Sequence, residues 1–260
     1  RSMVGARRGY GVGMRADDVA QSALLDLQAQ DTAIAQLTHR RGSLPELAQI
    51  TELEQKRAEL DGRRIEADTE VSDLTRAQKK ADAEVEQVKT RRERDETRLN
   101  SGSVSNPKDL ESLQHELVAL ERRISTLEDE ELEVMERLEE AQARLTDVTG
   151  DLEAVDTDLR HLHAARDAAV VQIDEQLDAA RVDRQQVVSQ VPDDLLALYE
   201  KVRGNKGGVG AAALRARRCE GCRLEINSAD LREIAAADDG EVLRCPECDR
   251  ILVLTAESGL

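Results

Sequence analysis

Cysteine is the residue type here whose spacing most clearly implies chemistry. Cys219-Glu220-Gly221-Cys222 and Cys245-Pro246-Glu247-Cys248 form two C-x-x-C units near the C-terminal end, and the sequence has no further cysteine. Each unit offers two thiolates from one tight turn, so together they supply the four sulfurs of a tetrahedral shell that zinc accepts. Gly221 and Pro246 suit turns that present both sulfurs on one side. One structural zinc ion held by Cys219, Cys222, Cys245 and Cys248 is therefore expected. Iron is a second ion that four thiolates accept. Thiol redox chemistry is a further alternative, although no βαβ context surrounds either pair. Four protein ligands leave no open position for water, which argues against a catalytic zinc. Cysteines confined to such pairs point to metal use in a reducing compartment, and so to a cytoplasmic location.

The surrounding residues fit a small β-rich domain. Leu243-Arg244 and the run Arg250 to Leu254 alternate like short strands, as a zinc ribbon requires. No aromatic residue occurs after Tyr199, so metal binding is expected to supply much of the folding energy of this part. Before and between the cysteines lies a basic cluster: Lys201, Arg203, Lys206, Arg215, Arg217, Arg218 and Arg223, against one acid, Glu220. These are candidate nucleic-acid contacts, since such a cluster neutralises phosphates. The same cations would also balance the net negative charge of a four-thiolate zinc site. The rest of the ribbon is acidic and offers no aromatic ring on which a base would stack.

Other constellations carry less. Lys206-Gly207-Gly208-Val209-Gly210 is followed by Ala211 and Ala212 where a phosphate-binding loop needs Lys and Ser or Thr, so it reads as a linker. His39, His115, His161 and His163 are scattered on helical segments with no acid–base partner arrangement. No catalytic residues emerge, and the chain is expected not to be an enzyme and to have no small-molecule substrate.

What must position the ribbon is a pair of long helices. The 260-residue sequence has no Trp or Phe, 35% charged residues and a net charge of −17. Its apolar residues are almost all Leu, Val, Ile and Ala, the composition of long helices or coiled coil rather than of an aromatic core. Steps of three and four from Leu110 meet Leu113, Leu117, Leu120, Ile124, Leu127, Glu131, Val134, Leu138 and Ala141. They continue to Val187, apolar at every position except Glu131, Arg166, Gln176 and Asp183. A 3.5-residue repeat held this long marks a coiled coil. An earlier arm, from about Pro45 to Leu99, has one apolar column (Leu53, Leu60, Ala67, Leu74, Ala81, Val88) and a half-polar one.

Residues 100 to 107 hold turn chemistry, with Gly102 for unusual backbone angles and Asn106 or Ser105 to cap a helix opened by Pro107. So short a connection lays the two arms antiparallel. Breaks near 42–45 and 189–193, at Pro45 and Pro192, predict kinks at similar heights on the hairpin. The expected organisation is a disordered or expression-derived N-terminus over 1–13, a helical hairpin over 14–203, a Gly-rich linker over 204–214 and a C4 zinc ribbon over 215–260. The fold class is mainly α: a long kinked antiparallel coiled-coil hairpin with a small C-terminal β-rich ribbon. No apolar run approaches the length needed to span a bilayer, so no membrane contact is expected.

Three stretches resemble one family. They are Asn106-Pro107-Lys108-Asp109-Leu110 with Leu113-Gln114-His115-Glu116, Leu198-Tyr199-Glu200-Lys201-Val202-Arg203 with the Gly204–Gly210 loop, and Cys219–Leu224 with Leu243–Leu252. Over Met14 to Leu254 the sequence is similar to bacterial C4-type zinc-ribbon proteins with an N-terminal antiparallel coiled-coil hairpin. Two positions depart: Asp249 stands where that family usually has Gly, and Val253 where an aromatic is common. The resemblance implies a non-enzymatic adaptor or chaperone-like factor for protein or nucleic-acid (DNA or RNA) partners, and because zinc ribbons often serve such machinery a link to transcription or RNA handling is expected. A dedicated DNA- or RNA-binding protein acting through the basic cluster is the first alternative, and a thiol redox protein the second.

Overall fold

The computed structural model describes residues 11–260 and divides into two compact units, Glu46–Ala164 and the N-terminal segment through Pro45 together with Ala165–Leu260.

Two helices that meet at a turn build the first unit. Helix α2 (Pro45–Asn100) is 56 residues long, about 80 Å at the α-helical rise, and α3 (Pro107–Val188) returns alongside it. The turn uses the residues its chemistry requires. Gly102 takes a φ of 67°, and the Asn106 side chain accepts from the Lys108 N–H at 3.1 Å, one residue past Pro107 at the first helical position. The seam is apolar where the spacing predicts: Ile50 and Leu60 pack with Val148, Leu152, Val155 and Leu159, and Leu74 with Leu138 and Ala141. Ion pairs cross it on the flanks, Arg57 to Asp156 at 2.6 Å, Arg144 to Glu70 at 2.7 Å and Lys89 to Glu128 at 2.7 Å. All are solvent-exposed, so they select register more than they add stability.

The second unit holds α1 (Asp18–Gly42), α4 (Asp193–Asn205), the end of α3 and all of the β structure. Asp17 caps α1 by accepting from the Ala20 N–H at 2.7 Å. Strands β1 (Gly11–Arg15), β2 (Ala211–Arg215), β3 (Arg218–Cys219), β4 (Glu241–Arg244) and β5 (Ile251–Val253) form one sheet in the order β1-β4-β5-β2-β3. Only the β2–β5 pair is parallel, with Ala211, Ala212 and Ala213 opposite Ile251, Leu252 and Val253. Its core joins helices and sheet: Leu24, Leu27, Leu195, Tyr199 and Val202 pack with Ala211, Val242, Ile251 and Val253.

Three expectations are corrected here. Of the N-terminal stretch 1–13, residues 1–10 lie outside the described residues, but Gly11 to Gly13 are strand, with Gly13 at a φ of 68° where the register against β4 shifts. A left-handed glycine lets the chain bulge and remain paired, so a Gly-rich stretch that looks irregular is an edge strand. The linker expected over 204–214 contains most of β2, because three alanines are small enough to lie beside β5 under α1. The ribbon expected as a separate domain over 215–260 shares its core with α1 and α4 and includes helix α5 (Ser228–Ala235). Helix α1 ends at Gly42 and α3 at Val188. Near the end of α3 the buried position is Leu177, with Gln176 exposed, because this stretch packs Ile173 and Leu177 against Leu44, Ile34 and Leu37 rather than continuing the hairpin seam.

Glu131 is a polar exception in the seam of the first unit. It shares a hydrogen bond with Asp82, which raises its pKa above the usual carboxylate value; partial burial and the Asp82 charge act in the same direction, and Lys89 opposes them. A raised carboxyl pKa means that the folded state favours the protonated acid. The associated stability is present below the unfolded pKa and is lost as pH rises through the folded one. Glu131→Gln, neutral at every pH, is expected to raise the helical melting midpoint at pH 7 slightly and to change it less at pH 4. Circular dichroism melts at both values check this; an equal shift at the two would remove the carboxyl pair as the cause.

Candidate metal centre

Two tight turns with the same backbone geometry carry the cysteines. In the first, the Cys219 N–H donates to the Leu224 carbonyl at 3.1 Å, and the Arg223 N–H donates back to the Cys219 carbonyl at 2.7 Å. In the second, Cys245 N–H donates to the Arg250 carbonyl at 2.9 Å and Asp249 N–H to the Cys245 carbonyl at 2.9 Å. The residue after the second cysteine is left-handed in both, Arg223 at φ 61° and Asp249 at φ 64°. That explains why glycine is favoured there, and why Asp, which tolerates the left-handed region better than most residues, is accepted. Asp249 is further held by Arg244 at 2.8 Å. Gly221 is needed for a different reason: a Cβ there would meet Arg250 Cδ at 2.8 Å and Ala212 Cβ at 3.0 Å.

These turns bring the four sulfurs within 4.8 Å of one another, with Cys219 Sγ 3.9 Å from Cys248 Sγ and Cys222 Sγ 3.9 Å from Cys245 Sγ. A tetrahedron with bonds of about 2.3 Å has edges of about 3.8 Å, so the donor set fits one zinc ion. Each of these two distances joins one C-x-x-C turn to the other, as one shared ion requires. Cys219 and Cys245 are buried, and Cys222 and Cys248 half-buried.

The protons show what the ion does for this cluster. Cys219 is pushed down to about 5, chiefly because the Cys245 thiol donates to it, with the backbone N–H groups of Cys222 and Gly221 adding to the effect. Cys245 is pushed up by keeping the proton it donates and by burial, and Cys222 is pushed up by burial. Left to themselves, four neighbouring sulfurs do not all ionise; a bound dication makes the fully deprotonated set the stable one. The zinc here is structural, since all four positions are protein sulfurs.

The candidate nucleic-acid contacts do not form one free cluster. Arg203 pairs with Glu200 at 2.8 Å and with buried Asp31 at 3.4 Å, Arg215 pairs with Glu257 at 2.5 Å, and Lys206 lies 4.0 Å from Asp249. Among the described residues Lys201, Arg217, Arg218 and Arg223 make no ion pair.

A model of the CT398-like coiled coil hairpin domain matches residues 27–207, and one of the C4-type zinc ribbon domain matches residues 218–252. The chain belongs to the CT398-like coiled-coil hairpin family. A Mycobacterium tuberculosis protein is 35% identical over 240 residues, covering 92% of this chain and 97% of its own length. A Mycobacterium leprae protein is 30% identical over 224 residues, covering 86% and 96%. A solved structure from Mycobacterium smegmatis superposes with a TM-score of 0.81 at 36% identity, covering 93% of this chain and all of that one. CT398 of Chlamydia trachomatis, at 16% identity and a TM-score of 0.65 over 91% and 98% of the two chains, shares the fold. The C4-type zinc ribbon match and the four clustered cysteines together support one structural zinc.

Sequence reasoning missed the residues that fix the ribbon in place. Gln28, on α1, accepts from the Gly210 N–H at 2.7 Å, and its amide donates to the Gly208 carbonyl at 3.1 Å. Tyr199, fully buried on α4, donates to Asp31 at 2.7 Å, and its hydroxyl sits 3.2 Å from Gln28 Oε1. Burial and then the Asp31 hydrogen bond push the Tyr199 pKa up, so the phenol remains a donor. Arg184 closes the cluster with Nε on Asp31 at 2.7 Å and a second contact to Glu200. The available signal was polar residues at three-residue spacing, Gln28 and Asp31, on the same helix face as Leu24 and Leu27.

Purified protein is expected to contain about one zinc per chain by elemental mass spectrometry, because four thiolates complete one tetrahedral shell. Cys245→Ser is expected to lower that content well below one, while most of the helical signal survives in the hairpin. A full complement of zinc in that variant would contradict the assigned shell. Gln28→Ala strands the buried Gly210 N–H and is expected to cost about 1–3 kcal/mol in denaturant unfolding. It should also speed zinc release to a chromogenic chelator; unchanged release would show that Gln28 does not support the site.

Proposed function

We propose that this chain is an adaptor that holds a protein partner on the outer surface of its zinc ribbon. A zinc ribbon joined to a coiled-coil hairpin fits a non-enzymatic structural or binding role. The observation that carries the finer reading is how the ribbon is mounted. It does not hang on a flexible tether: Gln28 clamps the Gly-rich loop, and Arg250 holds the same loop through the carbonyls of Lys206 at 2.8 Å and Val209 at 3.1 Å. A surface fixed in this way binds with less loss of conformational freedom than a tethered one. Exposed Leu224 lies beside the unpaired Arg223, a mixture suited to a protein surface. Partners in transcription or RNA handling are the class we expect, and a reducing compartment such as the cytoplasm is where such a site keeps its thiolates.

The second reading is direct binding of DNA or RNA, favoured by the unpaired Lys201, Arg217, Arg218 and Arg223. Against it stand the neutralised Arg203 and Arg215, the lack of an aromatic residue in the ribbon, and the net charge of −17, which repels a polyanion.

In-cell cross-linking of the full chain, followed by nuclease treatment and identification of the captured proteins, separates the two. The adaptor reading expects capture that survives nuclease and persists in Lys201→Glu with Arg218→Glu. It also expects weak, salt-insensitive association with a single-stranded RNA 20-mer. Capture released by nuclease, with RNA binding that falls steeply with salt and vanishes in the double variant, would replace it with the nucleic-acid reading.

A further inference from the structure

Beside the β2–β3 turn is a cavity of about 350 Å³ lined by Arg217, Leu231, Arg232, Ala235, Gly259 and Leu260. One side of it is apolar, with Leu231 buried at the base, Ala235 one helical turn further along α5, and Leu260 54% exposed, and Ser228 adds a polar edge. Two guanidinium groups stand with it. Arg217 donates from Nε to the Gly259 carbonyl at 3.1 Å, and Arg232 from Nε to the Ser228 carbonyl at 3.2 Å. Each is thereby anchored through one nitrogen, and neither forms an ion pair among the described residues.

The turn itself carries backbone strain. Ala216 and Arg217 have φ of 45° and 62°, the pair of left-handed residues that a two-residue hairpin of this hand requires and that Asn or Gly normally supplies. The segment at 257–259 keeps them there, with Ala216 N–H on the Glu257 carbonyl at 2.8 Å and Arg217 N–H on the Ser258 carbonyl at 3.0 Å. Strained backbone that its surroundings over-determine is characteristic of binding sites.

We propose that this cavity binds a short acidic peptide segment of a protein partner, with Arg217 and Arg232 taking a carboxylate and Leu231, Ala235 and Leu260 receiving the neighbouring apolar side chain. Charge complementarity selects that occupant. An acidic segment is repelled by a protein of net charge −17 except where arginines stand unpaired, and a guanidinium fork matches a carboxylate. The apolar side, together with the lack of an aromatic stacking platform, favours a peptide over a nucleic acid. A cavity of this volume is at the small end of ligand sites, enough for one or two side chains. The proposal rests on the adaptor reading and names the chemistry by which the ribbon would hold its partner.

The test uses the zinc-loaded full chain and a fluorescein-labelled peptide Gly-Asp-Leu-Glu-Asp-Leu-Gly, read by anisotropy. Saturable binding is expected, weakened about tenfold when Arg232→Ala removes a charge-assisted hydrogen bond, and comparably when Ala235→Glu places a like charge in the cavity. Replacing both leucines of the peptide by serine should weaken it too. Arg232 and Ala235 are exposed, and zinc content with circular dichroism verifies that both variants fold. Equal binding by wild type and variants, or none by wild type, overturns the proposal. If the wild type ignores the peptide yet retains a nuclease-resistant partner, only the cavity assignment falls. If a single-stranded RNA of equal charge displaces the peptide at lower concentration, the adaptor reading falls with it.

Discussion

Four sulfurs within 4.8 Å of one another form a stable arrangement only around a positive charge, and much of the architecture near the C-terminal end follows from that requirement. Each pair must come from a turn tight enough to aim two side chains at one point. Both turns therefore repeat the same two backbone hydrogen bonds and force the following residue into the left-handed region. Strands β3, β4 and β5 begin or end at these turns, so the sheet's register is tied to ion geometry as well as to apolar packing. A sheet of such short strands, in a chain with no Phe or Trp, has little else with which to define itself.

The second constraint is polar and buried. Asp31, at 6% exposure, carries a charge into the interior of the helical base, and it is held there by Arg184, Arg203 and the Tyr199 hydroxyl. Buried ion pairs rarely add much net stability, because desolvation offsets the attraction; removing one partner is costly, however, so they discriminate strongly between arrangements. This cluster joins α1, α3 and α4 with one register, and Gln28 extends it to the backbone that enters β2. The apolar contacts among these elements are mostly Leu, Val and Ala, which slide past one another at modest cost. The polar groups supply the specificity that such a core lacks.

How much was legible in the sequence follows the range of the forces involved. The hairpin seam and the cysteine pairs were readable because both are local patterns, a 3.5-residue repeat and a two-residue spacing, whose consequences hold wherever the chain goes. Strand β1 was not readable. Its partner β4 lies more than two hundred residues away, and its glycines give no propensity signal until the bulge at Gly13 is seen. Ala211 to Ala213 read as linker in the sequence because alanine has low strand preference; proximity to β5 and α1 overrides that preference. Helix α5 is only eight residues long, though Asn227, which caps it through Ala229 and Asp230 N–H groups, was a usable start signal. At Leu177 the repeat departs from the strict seam, since the helix there exchanges its hairpin partner for α1 and Leu44.

The left-handed residues link the metal to the surface. The turns after Cys222 and Cys248 are fixed by the ion, and the one at Ala216-Arg217 by the returning segment at 257–259. At Arg217 and Arg223 the residue accepting the strain is a large cation whose side chain has no carboxylate partner among the described residues. Glycine or asparagine would take those angles with less strain, so stability alone does not account for arginine there. Asp249 is the contrasting case, because its carboxylate meets Arg244 and the local structure accounts for it fully. The Arg217 guanidinium is held through Nε by the Gly259 carbonyl at 3.1 Å, whereas Arg223 makes no ion pair among the described residues. In a protein whose overall charge is strongly negative, these two arginines make the ribbon surface a local exception to the prevailing field.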